Sequence, residues 1–517
     1  MTSSPAGERA PLALAVGLGA LTALSRIPFR SRSLFAWDSA NFALALDQYN
    51  VAFHQPQPPG YPMYVAAANL ARLVTGDANA AYVALSILAS GLAVTFLTLA
   101  AARLYGRRMA LLAAALLATS SVFWSQGVVA YPYAFLACFT SLVAWLCTHI
   151  RGAGSAVLTV GTGAVIGIAA GVRIELLPFL TPLWLYAAWD QTVSPPVSPR
   201  RRIAAIGAGF VLMGMAVLAW YVPMVLLSGG WGAYQDATGS YYAYFIQTTS
   251  GAGKLLLGLL ENTRAVVGFL YNGLGLALLP MVYFIGRFFS PQRIVAEWRV
   301  RFLGLWLLPP LLFYVTVHVG NPGYILSLLP ALCVYAVEAL QGLLSDIREA
   351  QRAGPRWVLP AATVAIIGIG ASNTALFLTA NGEGRWREVK QIDTIFERQL
   401  RVIRDRYPAG TSLILAYDRS RQYRYYLPQY KIGLLFDVAV AGAVTDTSRY
   451  WERRATLSVP AGVTAVLFPD LGANRSDSPG LVERMDLGAG VEMFVAAVRA
   501  GDQVRYGYQY ASAVRVE

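Results

Sequence analysis

Long apolar runs follow one another through residues 1–380 of this chain, and they constrain its fold more than any other feature. Residues 79–102, for example, contain no charged side chain. A helix needs about 20 apolar residues to cross the roughly 30 Å of bilayer hydrocarbon. Runs long enough lie near residues 10–28, 79–102, 109–126, 132–150, 203–227, 265–286, 302–318, 322–345 and 357–379. The chain is therefore predicted to be an α-helical polytopic membrane protein.

A further apolar stretch, residues 155–189, is interrupted at Gly171-Val172-Arg173-Ile174-Glu175. Its length suits two short helices that meet at this charged segment. With this pair, the runs predict about eleven transmembrane helices.

Charge divides the chain near residue 380. Residues 1–380 contain 22 Lys and Arg against 12 Asp and Glu, whereas residues 381–517 contain 19 against 16. We therefore expect a transmembrane domain over 1–380 and a water-soluble domain over 381–517. In the second domain, β-rich segments at 413–417, 432–436, 463–468 and 504–514 and a short helix at 419–426 indicate a small α/β domain.

Arginine positions predict the orientation, because short cytoplasmic loops of membrane proteins collect Lys and Arg. With the N-terminus in the cytoplasm, fourteen cations fall in cytoplasmic loops: Arg103, Arg107, Arg108, Arg151, Arg200, Arg201, Arg202, Arg287, Arg293, Arg299, Arg301, Arg348, Arg352 and Arg356. This orientation requires residues 61–75 to lie in the membrane interface. It places the loop 29–78 and residues 381–517 on the extracytoplasmic side of the cell membrane.

Several classes of partner are not indicated. The basic residues form no continuous stripe with interleaved aromatics, which argues against nucleic-acid binding. The three histidines lie far apart and Cys138, Cys147 and Cys333 sit inside apolar runs, so no zinc motif is present. No cofactor is assigned; a divalent metal stays open, although no motif indicates one.

The extracytoplasmic loop after the first span carries Asp38, and further along it His54 and Tyr61. A carboxylate at the membrane surface suits a general base that removes a proton from an acceptor hydroxyl or amine. The alternative is that Asp38 is the N-cap of a helix over residues 39–49. His54, in a proline-rich segment, either contacts the acceptor or orients the loop.

Charged and polar residues at two other places are candidates for binding an anion. Arg173 lies between two apolar helices, where a cation is costly unless it has a partner such as a phosphate; an ion pair with Glu175 is the alternative. His318, in the segment His318-Val319-Gly320-Asn321-Pro322-Gly323-Tyr324, is a candidate for a phosphate or headgroup, and interfacial capping is the alternative. In the water-soluble domain over 381–517, called the tail, Arg421, Arg424 and Tyr425 share one stripe of the predicted helix at 419–426. Such a stripe suits binding of an acidic acceptor or of lipid headgroups, or a solvated face.

The motifs resemble those of membrane glycosyltransferases of the GT-C fold. An Asp after the first span, the segment His54-Gln55-Pro56-Gln57-Pro58-Pro59-Gly60-Tyr61-Pro62, a broken helix pair and an external tail carry the resemblance. In pattern the chain is most similar to protein O-mannosyltransferases and to the lipid A aminoarabinose transferases. Such enzymes move a sugar from a polyprenyl-phosphate carrier to an acceptor outside the cytoplasm, usually with inversion.

The resemblance implies roles for particular residues. Asp38 becomes the general base, Arg173 and His318 lie near the donor phosphate, and the substrates are contacted by His54, Tyr61, Tyr131, Tyr133, Glu175 and Tyr324. The implied partners are a polyprenyl-phosphate-linked sugar, a lipid, glycan or protein acceptor, and membrane lipids.

Two positions depart from the family pattern. Tyr131 stands where relatives have a second acid, and Gly323 stands where they usually have Arg. The missing acid leaves a catalytically inactive assembly subunit as one alternative to a glycosyltransferase. A transporter or flippase of lipid-linked sugars is the other alternative, although most spans lack the midplane charges that such proteins use.

Overall fold

The computed structural model describes residues 12–192, 196–248, 255–350, 357–416, 419–434, 455–470, 482–507 and 510–514. Helices dominate these residues. They are α1 (Leu12–Arg26), α2 (Trp37–Asp47), α3 (Pro62–Thr75), α4 (Ala78–Tyr105), α5 (Arg107–Thr119), α6 (Ser121–Gln126), α7 (Tyr133–Ala153), α8 (Ala156–Val172), α9 (Leu176–Trp189), α10 (Pro199–Leu227), α11 (Trp231–Thr248), α12 (Leu255–Leu274), α13 (Leu278–Phe288), α14 (Pro291–Ala296), α15 (Trp298–Thr316), α16 (Leu329–Ala350), α17 (Val358–Thr379), α18 (Trp386–Arg406) and α19 (Ser420–Tyr426).

Six apolar stretches of the described residues are helical, long and apolar enough to cross a membrane. They are Leu12–Phe29, Ala78–Tyr105, Tyr133–Ala153, Pro199–Leu227, Leu257–Phe288 and Val358–Thr379. The shorter apolar helices α8 and α9 lie beside them in sequence. The chain is thus a multi-pass membrane protein, while the total of about eleven spans stays a prediction.

Three predicted spans are not continuous helices. The run 109–126 is divided between α5 and α6, because the Ser120 side chain accepts a hydrogen bond from the Phe123 amide at 3.4 Å and starts a new helix. The run 265–286 is interrupted by a 3-10 turn at Gly275–Ala277, where Gly275 has a φ of +56°. The run 322–345 begins with a 3-10 turn at Pro322–Ser327 before α16 starts.

The predicted break between two short helices is confirmed. Helix α8 ends at Val172 and α9 begins at Leu176, with Arg173 in an extended conformation (φ −149°, ψ 118°). Pro178, in the first turn of α9, has no amide proton with which to continue a helix from α8. The chain therefore turns at the one charged segment of this apolar stretch.

The tail contains two sheets. Strands β1 (Ser412–Ala416), β2 (Lys431–Leu434), β4 (Ala465–Phe468), β5 (Val482–Asp486) and β6 (Glu492–Ala497) form a mixed sheet in the order β2-β1-β4-β6-β5. Strands β3 (Ala455–Ser458), β7 (Gln503–Gly507) and β8 (Tyr510–Val514) form an antiparallel sheet in the order β3-β7-β8. The predicted strands and helix α19 are confirmed, and β3, β5, β6 and α18 were not predicted; residues 417, 435–436 and 508–509 lie outside the described part.

The contact pattern divides the chain into two compact units. The first consists of Met1–Arg30, Tyr61–Leu226 and Phe245–Glu388, and the second of Ser31–Gly60, Leu227–Tyr244 and Val389–Glu517. The second unit thus combines the tail with two earlier segments, one of which carries Asp38. The assignment of 1–380 and 381–517 to a membrane domain and an extracytoplasmic domain stays a prediction.

Candidate active site

Arg173, at the turn between α8 and α9, is buried, with 4% of its surface exposed. Its Nε atom donates to Oε1 of Glu175 at 2.6 Å, and its Nη2 atom contacts the same oxygen. The other terminal nitrogen, Nη1, donates to no acceptor in the described part of the chain. The ion pair expected as an alternative is therefore present, and it leaves N–H groups of the guanidinium available, since Arg carries five.

Three tyrosine rings surround the Arg173 guanidinium. Its Cζ atom lies 5.6 Å from the ring centre of Tyr61, 5.0 Å from that of Tyr133 and 4.5 Å from that of Tyr324. Such contacts stabilise a buried cation through the negative face of the ring. The structure thus brings together five residues predicted to belong to the site, from four separate parts of the sequence.

Each tyrosine is placed by the end of a helical element. Tyr61 precedes α3 and has a φ of +47°, an uncommon conformation for a residue with a bulky side chain. Tyr133 is the first residue of α7, and Tyr324 lies in the 3-10 turn before α16. His318 is next to this cluster, because its ring centre lies 5.8 Å from that of Tyr324.

Packing explains why Gly323 replaces the Arg of the family pattern. A Cβ atom at position 323 would lie 2.8 Å from the Cβ of Tyr133 and would overlap its ring. Real Cβ atoms do not approach other carbons this closely, so Tyr133 leaves room only for glycine. Among the described residues, Arg173 therefore supplies the positive charge of the cluster that it forms with Tyr61, Tyr133 and Tyr324.

Tyr131, which stands in place of an acid, donates a hydrogen bond to an acid from elsewhere in the chain. Its hydroxyl lies 3.3 Å from Oε1 of Glu383, and the side-chain amide of Asn321 donates to the same oxygen. Burial raises the pKa of Glu383 above its ordinary value; hydrogen bonds from Asn321 and Tyr131 oppose this and the carboxylate of Glu388 adds to it. Glu383 was not expected at the site from the sequence, although it is the first carboxylate after the last apolar run and lies between two glycines.

Asp38 belongs to the second unit and is the second residue of α2, where it is half-buried. The N-cap position is Ala36, whose amide donates to the Ser39 hydroxyl at 3.4 Å. The expectation that Asp38 caps a helix over 39–49 is therefore wrong. The position does favour a negative charge, because the N-terminal end of a helix carries a partial positive charge.

Residues of the tail hold the segment that leads to Asp38. The carboxylate of Asp393, on α18, accepts hydrogen bonds from the amides of Arg32 at 3.0 Å and Ser33 at 2.9 Å and from the Ser33 hydroxyl at 2.6 Å. The Tyr426 hydroxyl accepts from the Leu34 amide at 2.8 Å. The conformation of this segment therefore depends on side chains more than 350 residues away in sequence.

Arg421, on α19, is buried within the second unit, with 1% of its surface exposed. Its guanidinium lies 5.4 Å from the ring centre of Trp37 and donates to the Phe53 carbonyl at 3.4 Å. A solvated face for the predicted Arg421 stripe is therefore wrong, although Arg424 is exposed.

His54 also belongs to the second unit, and its environment keeps it neutral. Burial, with a smaller contribution from the charge of Arg421, lowers the pKa of His54 to about 4. The ring centre of Tyr241 lies 6.0 Å from that of His54. A neutral imidazole in this place can accept one hydrogen bond and donate another, but it carries no charge near neutral pH.

No group of three or more His, Cys, Asp or Glu side chains that could hold a metal ion occurs in the described ranges. The candidate residues fall into two sets. The first unit contains the cluster of Arg173 and its tyrosines together with Glu383, and the second contains Asp38, His54 and Arg421.

Comparison with known proteins identifies the fold. The family model of dolichyl-phosphate-mannose-protein mannosyltransferases matches residues 55–220. The structure is similar to that of ArnT from Cupriavidus metallidurans in the apo state, with a TM-score of 0.57 and 13% identity over 94% of this chain and 98% of ArnT. The same protein bound to undecaprenyl phosphate gives a TM-score of 0.54 and 13% identity over 94% and 97% of the two chains.

An oligosaccharyltransferase of Archaeoglobus fulgidus in the apo form is more distant, with a TM-score of 0.49 and 10% identity over 88% of this chain and 69% of its own. No curated protein matches the chain in sequence. The similarity to ArnT over nearly the whole of both chains confirms the GT-C fold that the motifs predict, which is the architecture of membrane glycosyltransferases.

Proposed function

We propose that this protein is an integral membrane glycosyltransferase that moves a sugar from a polyprenyl-phosphate donor to an acceptor on the extracytoplasmic side, with inversion at the anomeric carbon. The observation that carries the proposal is the match in fold to ArnT, which has been solved with undecaprenyl phosphate. The match of residues 55–220 to a mannosyltransferase family model supports it. Arg173, Tyr61, Tyr131 and Tyr133 all lie within this range.

In this proposal Arg173 binds the phosphate of the donor. The guanidinium is rigid, is held by Glu175 on one edge and keeps Nη1 without an acceptor in the described residues, so it offers N–H groups to a phosphate oxygen. Because Glu175 neutralises much of its charge, Arg173 would bind chiefly by directed hydrogen bonds. His318, beside Tyr324, is a second candidate for the same anion.

Asp38 acts as the general base in this proposal. Its carboxylate takes the proton of the acceptor hydroxyl or amine while the acceptor atom forms a bond to C1 of the sugar. The bond between C1 and the phosphate oxygen breaks, and its electron pair leaves with the polyprenyl phosphate. Polyprenyl phosphate is a stable anion, so the protein mainly has to orient the reactants and stabilise charge.

We expect Asp38→Asn to reduce sugar transfer by at least 100-fold, because general-base catalysis typically contributes about 10²–10⁴-fold. Purified protein is incubated with a cell-envelope extract, as the source of lipid, glycan and protein acceptors, and with mannose, glucose or N-acetylglucosamine linked to polyprenyl phosphate. Released polyprenyl phosphate is measured with and without divalent metal. Asp47→Asn, at the exposed C-terminal end of the same helix, is the matched control and should retain full activity. Full activity of Asp38→Asn would exclude the assigned role.

A further inference from the structure

Glu383 is held by the same two chain segments that surround Arg173. In residues 131–133, Tyr131 donates a hydrogen bond to Glu383, and the ring of Tyr133 packs against the Arg173 guanidinium. In residues 321–324, Asn321 donates a hydrogen bond to Glu383, and the ring of Tyr324 packs against the Arg173 guanidinium. The rings of Tyr131 and Tyr133 also contact each other, with centres 5.3 Å apart. The framework formed by residues 131–133 and 321–324 thus contacts one cation, Arg173, and one carboxylate, Glu383, within the first unit.

The hydrogen bonds of Glu383 leave one of its oxygens available. Tyr131 and Asn321 both donate to Oε1, and both are neutral. No donor in the described ranges reaches Oε2, and no Arg or Lys there forms an ion pair with Glu383. Arg385, two residues along the chain, instead donates to Asn272 and to the Asn381 carbonyl. A half-buried carboxylate without a cation is costly unless its remaining oxygen receives hydrogen bonds.

We propose that Glu383 determines sugar specificity, with Oε2 accepting hydrogen bonds from hydroxyl groups of the sugar on the donor. This inference rests on the proposed function, because it takes Arg173 as the site of the donor phosphate. The sugar is bonded directly to that phosphate, so a carboxylate on the same framework is placed to contact it. A carboxylate also suits hydroxyl donors, whereas it repels the phosphate itself.

The test combines a substitution with changes in the substrate. Glu383→Gln keeps the shape of the side chain and an oxygen for Tyr131 and Asn321, but removes the charge. Of the three polyprenyl-phosphate-linked sugars in the activity assay, the one that the wild-type protein consumes is then made as a set of deoxy donors, in each of which one sugar hydroxyl is replaced by hydrogen. We expect Glu383→Gln to lower kcat/KM about 10- to 100-fold with the intact donor, because hydrogen bonds to a charged group contribute about 1.5–3 kcal/mol.

The deoxy donors separate a sugar contact from a structural role. At least one of them should lose a similar factor with the wild-type protein and lose little more with Glu383→Gln, since the interaction is then already absent. If Glu383→Gln lowers kcat/KM by the same factor on every donor, or if it keeps full activity, this inference is overturned while the proposed function stands. Failure of the wild-type protein to consume any donor overturns the proposed function and this inference with it.

Two further variants keep the test decisive. Tyr131→Phe leaves the carboxylate in place but removes one donor from Oε1, and we expect KM for the donor to rise several-fold with kcat little changed. An unchanged KM in this variant counts against the proposal even if Glu383→Gln does not fold. Glu397→Gln, at an exposed carboxylate of α18 that pairs with Arg401 at 2.8 Å, is the matched control and should be within twofold of wild type.

Discussion

At the scale of single residues, His54 makes the second unit sensitive to pH. Its φ is +53°, and burial together with Arg421 lowers its pKa to about 4, from an ordinary value of 6.5. The unfolded chain therefore binds a proton at His54 in a pH range in which the folded chain does not. The contribution of neutral His54 to stability is complete above pH 6.5 and is lost as the pH falls towards 4.

We therefore expect His54→Asn to reduce the pH dependence of stability. Asparagine does not titrate and tolerates a positive φ. At pH 4 the protonation of His54 should cost the wild-type protein on the order of 3 kcal/mol, which the variant does not lose. The measurement is the apparent melting temperature of the purified protein between pH 7 and pH 4. Phe53→Asn, at the exposed neighbouring residue, should keep the wild-type pH dependence, and an unchanged slope in His54→Asn would contradict the prediction.

At the scale of elements, glycines allow α8 and α10 to pack closely. A Cβ atom at Gly167 would lie 2.6 Å from the Met213 carbonyl oxygen and 2.9 Å from the Ala216 Cβ. In membranes, where lipid chains are as apolar as side chains, such close approach of small residues is a main source of helix association. This packing orients α8, whose C-terminal end carries Arg173.

Gly167→Ala should therefore destabilise the protein. The added methyl group forces the two helices apart, and overpacking of this kind costs about 1–3 kcal/mol. Gly161→Ala, on the same helix, is the matched control because nothing lies within 4 Å of its added Cβ. It should be neutral or stabilising by up to about 1 kcal/mol, since alanine favours helix. The melting temperatures of both variants in detergent check the difference, and equal values would refute the close contact.

At the scale of the whole molecule, the orientation in the membrane rests on the distribution of arginines. The N-terminus is predicted to be cytoplasmic and the tail extracytoplasmic, because basic residues collect in the loops that this arrangement places inside. The native cysteines make a direct test practical, since Cys138, Cys147 and Cys333 are all buried.

We expect a membrane-impermeant thiol reagent to label Gly410→Cys, but not Ala350→Cys, in intact cells. Gly410 lies in the tail and Ala350 at the end of α16, and both positions are exposed. Opening the cells should make both variants reactive, which controls for accessibility. Labelling of Ala350→Cys alone would invert the orientation and place the candidate site in the cytoplasm.

The sequence predicted much of the architecture because its main signals are local. Apolar runs, the break at residues 171–175 and the strands near residues 413 and 465 depend on hydrophobicity and periodicity over a few neighbouring residues. The interruptions at Ser120 and Gly275 were missed, because apolar residues continue through Gly275, and the short polar segment Thr119-Ser120-Ser121 has apolar residues on both sides. A span read from hydropathy alone does not reveal where the backbone turns inside it.

The candidate site divides in the same way. By itself, the sequence determined that the chain is a multi-pass membrane protein with GT-C motifs, and it singled out Asp38, Arg173, Tyr133 and Tyr324. Only the tertiary structure decided that Arg173 pairs with Glu175 among three tyrosine rings, that Glu383 reaches Tyr131, and that Arg421 is buried. Apart from the Arg173–Glu175 pair, these contacts join residues far apart in the chain, and their existence depends on how helices pack, which no local pattern of residues encodes.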